Sequence, residues 1–212
     1  MKIPVLITAR LSSTRLPRKH LLKLGNLTVI EHVINRCKHF GFWPILCIPL
    51  EVWPNLDCDI FEGDMDQFIR IKEAAKKFEL EKFHHLDGDD PYFDPLEIKR
   101  SFSYLKDDIG LVKPTGSSSL WALGMMGSSY GPGSKKIFLP EQKREMRHNI
   151  IRLTLDYEED YWFLASMARA GADYTKSREE VEKIASYPLA NINLFHNKQW
   201  KERQLVESGC SI

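Results

Sequence analysis

The residues best suited to chemistry lie in a short basic segment near the amino terminus. Eleven consecutive positions, residues 10–20, carry five basic side chains and three small hydroxyl side chains: Arg10, Arg15, Arg18, Lys19 and His20, with Ser12, Ser13 and Thr14 between them. Guanidinium and ammonium groups this close repel one another unless an anion lies among them, and forked arginines suit phosphate oxygens. The segment therefore predicts a polyphosphate site, the alternative being a solvated basic turn.

Two acidic groups could complement this segment. The first is Asp87–Pro91, with three carboxylates around one glycine, and the second is Asp156 with Glu158, Glu159 and Asp160 close behind. Asp156 could simply cap a following helix, and the two glutamates fit a first turn, where the helix dipole favours acids. Magnesium ions are held by one or two carboxylates together with substrate phosphates. The combination predicts chemistry on a magnesium-bound nucleoside triphosphate.

The elements that must position these residues alternate between strands and helices. An apolar run from Ile3 to Ile7 predicts a buried first strand, and the basic segment follows it directly. Further strands are predicted over Pro44–Pro49 and Phe83–Asp87. Ligands of open α/β sheets bind at the carboxyl ends of the strands. The pattern therefore predicts an α/β fold with a doubly wound, mainly parallel sheet, and a site at one edge of it.

Helices are predicted after each of these strands. A capping box at Thr28 and Glu31 begins the first helix, and the second begins near Asp64, with Phe68 on its inner side. Asp94 is a suitable N-cap for the third helix, because a proline follows it at the first helical position.

The remainder of the chain is less regular. Residues 50–63 are interpreted as an irregular connection, and residues 115–150, which carry five glycines, as an irregular insert that could cover a pocket. A strand is predicted over Ile150–Leu155, helices after Tyr157 and Ser177, and a helical tail after Pro188. We predict a single domain over residues 1–212.

The composition indicates where a partner could bind. The 212 residues have a formal net charge of +1, so anion binding must be local, and no nucleic-acid partner is expected. No apolar run approaches bilayer length, so no membrane partner is expected either. The four cysteines lack zinc-site spacing and are interpreted as reduced thiols of a cytoplasmic protein.

Three motifs together resemble a known family. Ala9–Leu21 is similar to the signature ARxxSTRLPxKxL, Gly88–Pro91 resembles GDxP, and Arg152–Asp160 resembles RxTVDxxxD. These are motifs of the cytidylyltransferases that make CMP-activated sugar acids, such as the Kdo and acylneuraminate enzymes. The branch of spore-coat polysaccharide biosynthesis is the nearest.

The resemblance implies a Rossmann-like, three-layer α/β/α nucleotidyltransferase domain of the GT-A type, usually a homodimer, that uses CTP, a sugar-acid acceptor and Mg²⁺. It implies nucleotide-binding residues Ala9, Arg10, Ser12, Ser13, Arg15, Lys19, Arg70 and Asp87, with Arg15 and Lys19 catalytic, and metal ligands Asp89, Asp156 and Asp160. For Arg70, an exposed helix arginine is the alternative. Asp87 stands where relatives have Thr or Gln.

The predicted function is transfer of CMP from CTP to the anomeric hydroxyl of a keto-sugar acid, with release of pyrophosphate, for polysaccharide or glycan biosynthesis. A catalytically silent, nucleotide-binding relative that serves as a regulatory or assembly subunit is one alternative. Another is a nucleotidylyltransferase for a different sugar, although those enzymes usually open with a GxGxR loop that residues 9–13 lack. The sequence does not name the acceptor.

Overall fold

The central sheet of the protein has seven strands within the residues that the computed structural model describes, 2–114, 127–139, 151–185 and 192. The strands, in chain order, are β1 (Pro4–Thr8), β4 (Trp43–Pro49), β5 (Asp59–Gly63), β6 (Phe83–Asp87), β7 (Ile109–Pro114), β8 (Ser128–Tyr130) and β9 (Lys135–Leu139), and a separate hairpin is formed by β2 (Lys23–Leu24) and β3 (Leu27–Thr28). The helices are α1 (Val29–His39), α2 (Gln67–Lys77), α3 (Pro95–Ser103), α4 (Glu158–Arg169) and α5 (Arg178–Ile184).

The sheet is mainly parallel, as predicted. Its strand order is β5-β4-β1-β6-β8-β7-β9, and β8 runs antiparallel to both of its neighbours while the other pairings are parallel. In this arrangement β1 lies between β4 and β6, and Thr8 at the end of β1 is in register with Cys47 on one side and Asp87 on the other. The carboxyl ends of these strands therefore meet at one edge of the sheet.

Helices cover both faces of the parallel part of the sheet. Val5 and Ile7 of β1 pack with α1 and α3 on one face, whereas Leu6 packs with α2 on the other. A strand buried on both faces reads as an uninterrupted apolar run, which is why β1 was predictable without an alternating pattern. The predicted three-layer α/β/α fold is confirmed.

The helix starts follow local capping chemistry. Thr28 and Glu31 form the predicted capping box of α1, and the Asp94 side chain accepts a hydrogen bond from the Leu96 N–H at 2.9 Å. Helix α2 begins at Gln67, because Asp66 accepts hydrogen bonds from the Phe68 and Ile69 N–H groups. Phe68 lies in the first turn of α2, where its side chain is 58% exposed beside a cavity and not packed in the core, so its predicted inward placement is wrong.

Three further predictions differ from the structure. The connection predicted at residues 50–63 contains β5, an edge strand whose residues are mostly exposed and therefore carry no apolar pattern. The predicted insert contains β8 and β9. Residues 151–155 are buried, with apolar side chains packed against α4, but they form no strand and do not join the sheet.

The predicted pocket cover at residues 115–126 lies outside the described residues, as do residues 140–150 and, apart from residue 192, the predicted tail after Pro188. Among the helices that are described, none combines the length and the apolar character needed to cross a bilayer.

Candidate functional site

A cavity of about 440 Å³ opens at the carboxyl ends of β1 and β6. One side of the cavity is formed by the basic segment, the floor by the ends of the two strands, and the other side by the start of α2. Its lining residues are Thr8, Ala9, Arg10, Ser13, Thr14, Arg15, Lys19, His20, Met65, Asp66, Gln67, Phe68, Arg70, Asp87 and Asp89. The position is the one at which α/β sheets bind ligands.

The basic segment is held in a defined loop. The Arg18 N–H donates a hydrogen bond to the Leu11 carbonyl at 3.1 Å, and Arg18 takes a left-handed φ of 55° that is uncommon for a residue other than glycine. The Leu11 N–H in turn donates to the Glu51 carboxylate at 2.7 Å, which ties the loop to the segment after β4. A single 3-10 turn, Lys19–Leu21, follows and directs Lys19 into the protein.

Two carboxylates from distant parts of the chain meet at the Lys19 ammonium. Lys19 donates hydrogen bonds to Asp89, to Asp156 Oδ1 at 3.1 Å and to the Leu155 carbonyl at 2.7 Å. Arg15 also forms an ion pair with Asp156. The backbone supports the same arrangement, because the Leu155 N–H donates to the Asp89 carbonyl at 3.0 Å. The structure thus brings together the two aspartates and the two cations that the sequence singled out.

This cluster is electrostatically strong because little water reaches it. Burial alone would raise the pKa of the Asp156 carboxyl, but the charges of Lys19, Arg15 and Arg152 outweigh burial and lower that pKa to about 2. Burial likewise opposes the charge on Lys19, yet Asp89 and Asp156 raise the pKa of its ammonium above the usual value. Both carboxylate and ammonium are therefore charged at neutral pH.

A second layer of charge fixes the orientation of Asp156. The buried Arg152 guanidinium donates to Asp156 Oδ2 at 3.1 Å and to Asp160 Oδ1 at 2.9 Å. Asp160 Oδ2 also accepts hydrogen bonds from the Asp156 and Tyr157 N–H groups, at 2.9 and 3.0 Å. Asp160 was predicted as a metal ligand; in the structure its two oxygens are instead used to hold Arg152 and to cap the chain before α4.

Not all of the other predicted nucleotide-binding residues reach the cavity. Ala9, Arg10, Ser13 and Asp87 line the cavity, whereas Ser12 is exposed and does not. Arg70 lines the cavity but is only 2% exposed, which excludes the alternative of an exposed helix arginine. Its guanidinium donates to the Cys47 carbonyl at 3.2 Å, the Met65 carbonyl at 3.1 Å and the Asp64 carbonyl, so it anchors the turn before α2 to the end of β4.

Several site residues were not identified from the sequence. The Thr8 hydroxyl donates to Asp87 Oδ1 at 3.2 Å and lies 2.9 Å from His85 Nε2. The start of α2 contributes Met65, Gln67 and Phe68 to the wall of the cavity. Thr8 could have been found as the last residue of β1; for the residues of α2, no signal in the sequence shows which wall they form.

The donor set suits a hard cation bound together with a ligand. No group of three His, Cys, Asp or Glu side chains that could hold a metal ion on its own occurs in the described part of the chain. Asp89 and Asp156 both lie against one ammonium, so a pair of carboxylate oxygens already converges on a single positive charge. Two carboxylates completed by phosphate oxygens match the usual surroundings of Mg²⁺.

Comparisons with known proteins agree with this geometry. The sequence profile of the family described as cytidylyltransferase matches residues 4–48, which include β1 and the basic segment. A 3-deoxy-manno-octulosonate cytidylyltransferase of Herminiimonas arsenicoxydans is 21% identical over 206 residues, covering 92% of this chain and 74% of that protein.

Solved structures show the same fold. A cytidylyltransferase from Leptospira borgpetersenii has a TM-score of 0.72 at 22% identity, covering 87% of this chain and 93% of that chain. A 2-C-methyl-D-erythritol 4-phosphate cytidylyltransferase from Thermus thermophilus has a TM-score of 0.55 at 13% identity, covering 80% and 100%.

The sequence profile and the relative from Herminiimonas arsenicoxydans are both described as cytidylyltransferases, and together they confirm the predicted enzyme class, a nucleotidyltransferase. The profile match extends from β1 into β4, and both matches agree with the predicted relationship to the cytidylyltransferases.

Proposed function

We propose that the protein transfers CMP from CTP to the anomeric hydroxyl of a keto-sugar acid and releases pyrophosphate. The observation that carries this proposal is the convergence of Lys19, Arg15 and Asp89, which line the cavity, with Asp156, which contacts both cations from behind them. A site that holds two cations and two carboxylates in contact is suited to a ligand that is itself a phosphate–metal pair.

The triphosphate would lie along the basic segment. Arg10 and Ser13 line the cavity with Arg15 and Lys19, so guanidinium and hydroxyl donors and the positive charge of the Lys19 ammonium would face the phosphate oxygens. Arg10 is exposed and free to adjust to the ligand, whereas the buried Lys19 is fixed by three acceptors. Lys19 therefore provides a preorganised positive charge, the kind that stabilises a transition state without reorganisation.

Magnesium would be held by Asp89 and Asp156. When bound, it would neutralise phosphate oxygens and favour ionisation of the attacking hydroxyl. The protein's part is to hold the two carboxylates in place, Asp89 through Lys19, and Asp156 through Lys19 and Arg15 on one side and Arg152 on the other.

The reaction exchanges one P–O bond for another. The anomeric oxygen attacks the α-phosphorus of CTP in line, the bond from that phosphorus to the bridging oxygen of pyrophosphate breaks, and the hydroxyl proton passes to solvent. Arg15 and Lys19 would stabilise the charge that grows on the leaving pyrophosphate. No covalent intermediate with the protein is required.

The choice of CTP and of a sugar acid is supported by the relatives. The matching family is described as cytidylyltransferase, and the relative from Herminiimonas arsenicoxydans is named for 3-deoxy-manno-octulosonate. By the same resemblance we propose a homodimer and a role in polysaccharide or glycan biosynthesis.

The test is pyrophosphate release with each of the four nucleoside triphosphates, at a fixed magnesium concentration, with a panel of keto-sugar acids as acceptors. We expect release with CTP and one or more of the acids. Lys19→Ala should reduce kcat on the order of a hundredfold or more. Lys23→Ala, which changes an exposed lysine outside the cavity, is the matched control and should retain the wild-type rate.

Near-wild-type turnover by Lys19→Ala would contradict the role given to this residue. Tight binding of CTP without pyrophosphate release, for every acceptor, would favour a catalytically silent relative over the enzyme.

A further inference from the structure

One carboxylate that lines the cavity, that of Asp87, has no role in the proposed binding of the triphosphate and the metal. Asp87 lines the cavity and its side chain is 50% exposed. Asp89 and Asp156 both pair with Lys19, but Asp87 forms no ion pair with a lysine or arginine in the described residues. Its neighbours are the Thr8 hydroxyl, 3.2 Å from Oδ1, and His85 Nε2, 3.5 Å from the same oxygen.

These contacts fix one oxygen of Asp87 and direct the carboxylate into the cavity. The hydroxyl of Thr8 and the ring of the buried His85 hold Oδ1 at the end of β6, next to the end of β1. A carboxylate accepts hydrogen bonds or binds a cation, and since the metal is assigned to Asp89 and Asp156, the group that meets Asp87 is taken to be a hydrogen-bond donor. A phosphate could not take this position, because two anions in contact repel each other.

The order of residues across the sheet indicates which part of the ligand would meet Asp87. Asp89, which lies against Lys19 at the phosphate end, follows Asp87 by two residues. On the other side, Thr8 separates Asp87 from Cys47, whose carbonyl receives a hydrogen bond from Arg70 beside the start of α2. Asp87 therefore lies between the phosphate end of the cavity and the wall formed by α2.

We propose that Asp87 binds the ribose hydroxyls of the nucleotide and makes the site selective for ribonucleotides over deoxyribonucleotides. The proposal rests on the proposed function, since the part of a nucleoside triphosphate that joins the phosphates to the base and donates hydrogen bonds is its ribose. A carboxylate that accepts from a ribose hydroxyl is an established form of nucleotide recognition in α/β proteins.

The experiment measures dissociation constants by calorimetry for CTP, 2′-deoxy-CTP, 3′-deoxy-CTP and inorganic pyrophosphate, at a fixed magnesium concentration. The proteins are the wild type, Asp87→Asn, Asp87→Ala and, as a charge control, Glu62→Gln. Glu62 is an exposed carboxylate of β5 that does not line the cavity. Removal of a negative charge strengthens anion binding in general, so the ratio of CTP to deoxy-CTP affinity isolates the ribose contact.

We expect the wild type and Glu62→Gln to bind CTP about 10- to 100-fold more tightly than at least one deoxy-CTP, the usual effect of a hydrogen bond to a charged group. In Asp87→Ala this ratio should fall to within about threefold of unity, and in Asp87→Asn it should fall part of the way. Pyrophosphate should bind all four proteins, because it does not reach Asp87.

Equal affinity of the wild type for CTP and both deoxy analogues would overturn the ribose assignment and leave the proposed function standing. A ratio that persists in Asp87→Ala, with pyrophosphate still bound, would also overturn it. A wild type that binds pyrophosphate but not CTP would refute both proposals.

Discussion

Asp160 offers the sharpest test of how the site is built, because a structural role and a metal-binding role predict different results for its removal. The motif predicts a metal ligand, whereas the structure shows a fully buried carboxylate that holds the Arg152 guanidinium and accepts two backbone N–H groups before α4. In Asp160→Ala, Arg152 would keep Asp156 as its partner but lose its contacts with Asp160, and the Asp156 and Tyr157 N–H groups would lose their acceptor.

The cost follows from these contacts. Removal of one partner of a buried ion pair costs about 3–5 kcal/mol, and loss of a helix-capping acceptor costs about 1 kcal/mol. Because Asp156 still neutralises part of the Arg152 charge, we expect a total of about 3–5 kcal/mol. Asp160→Asn keeps an acceptor oxygen but loses the charge, and it should cost about 2 kcal/mol.

The assay is equilibrium unfolding in urea, followed by tryptophan fluorescence. With ordinary m-values, Asp160→Ala should lower the midpoint by about 1–2 M. Glu158→Ala is the matched control, since Glu158 is an exposed acid in the first turn of the same helix and should contribute only about 0.3–1 kcal/mol through the helix dipole.

The reasoning would be refuted if Asp160→Ala unfolded within about 1 kcal/mol of the wild type. If the same variant also needed more magnesium for turnover, Asp160 would be the metal ligand that the motif predicts, and its pairing with Arg152 would be incidental.

Two further predictions concern groups close to the site. His32 donates through Nδ1–H to the Pro91 carbonyl at 3.1 Å, and burial lowers its pKa to about 4. As the pH falls, the unfolded chain therefore takes up a second proton on His32 before the folded chain does. The free energy of unfolding should fall by about 3 kcal/mol as the pH drops from 6.5 to 4. In urea unfolding, His32→Gln should show a weaker pH dependence than the wild type. A wild-type slope retained in His32→Gln would contradict this. Gly88→Ala places a Cβ 3.0 Å from the Thr8 carbonyl and 3.1 Å from Ile30 Cδ1, which should cost about 1–3 kcal/mol and weaken pyrophosphate binding by moving Asp89. Calorimetry showing unchanged affinity would mean that the turn adjusts without moving Asp89.

The sequence by itself determined the elements that depend on local chemistry. The buried strand β1 is a run of mostly apolar residues, and α1 and α3 begin at capping residues whose side chains bond to backbone groups two or three positions away. The basic segment was equally visible, because like charges at this density need an anion nearby. These signals require no knowledge of what packs where.

The tertiary structure alone decided the remainder, because those features depend on how separate segments pack together and not on a local sequence pattern. The edge strand β5 is set by pairing with β4, not by an apolar pattern of its own. Arg70 is buried because its guanidinium donates to carbonyls of the turn before α2 and to the Cys47 carbonyl at the end of β4, and Asp160 is drawn to Arg152 rather than to the cavity. The contact of Asp89 and Asp156 with one ammonium exists only once the turn after β6 and the segment before α4 lie side by side. A hydrogen bond between them, from the Leu155 N–H to the Asp89 carbonyl, joins these two segments in the fold.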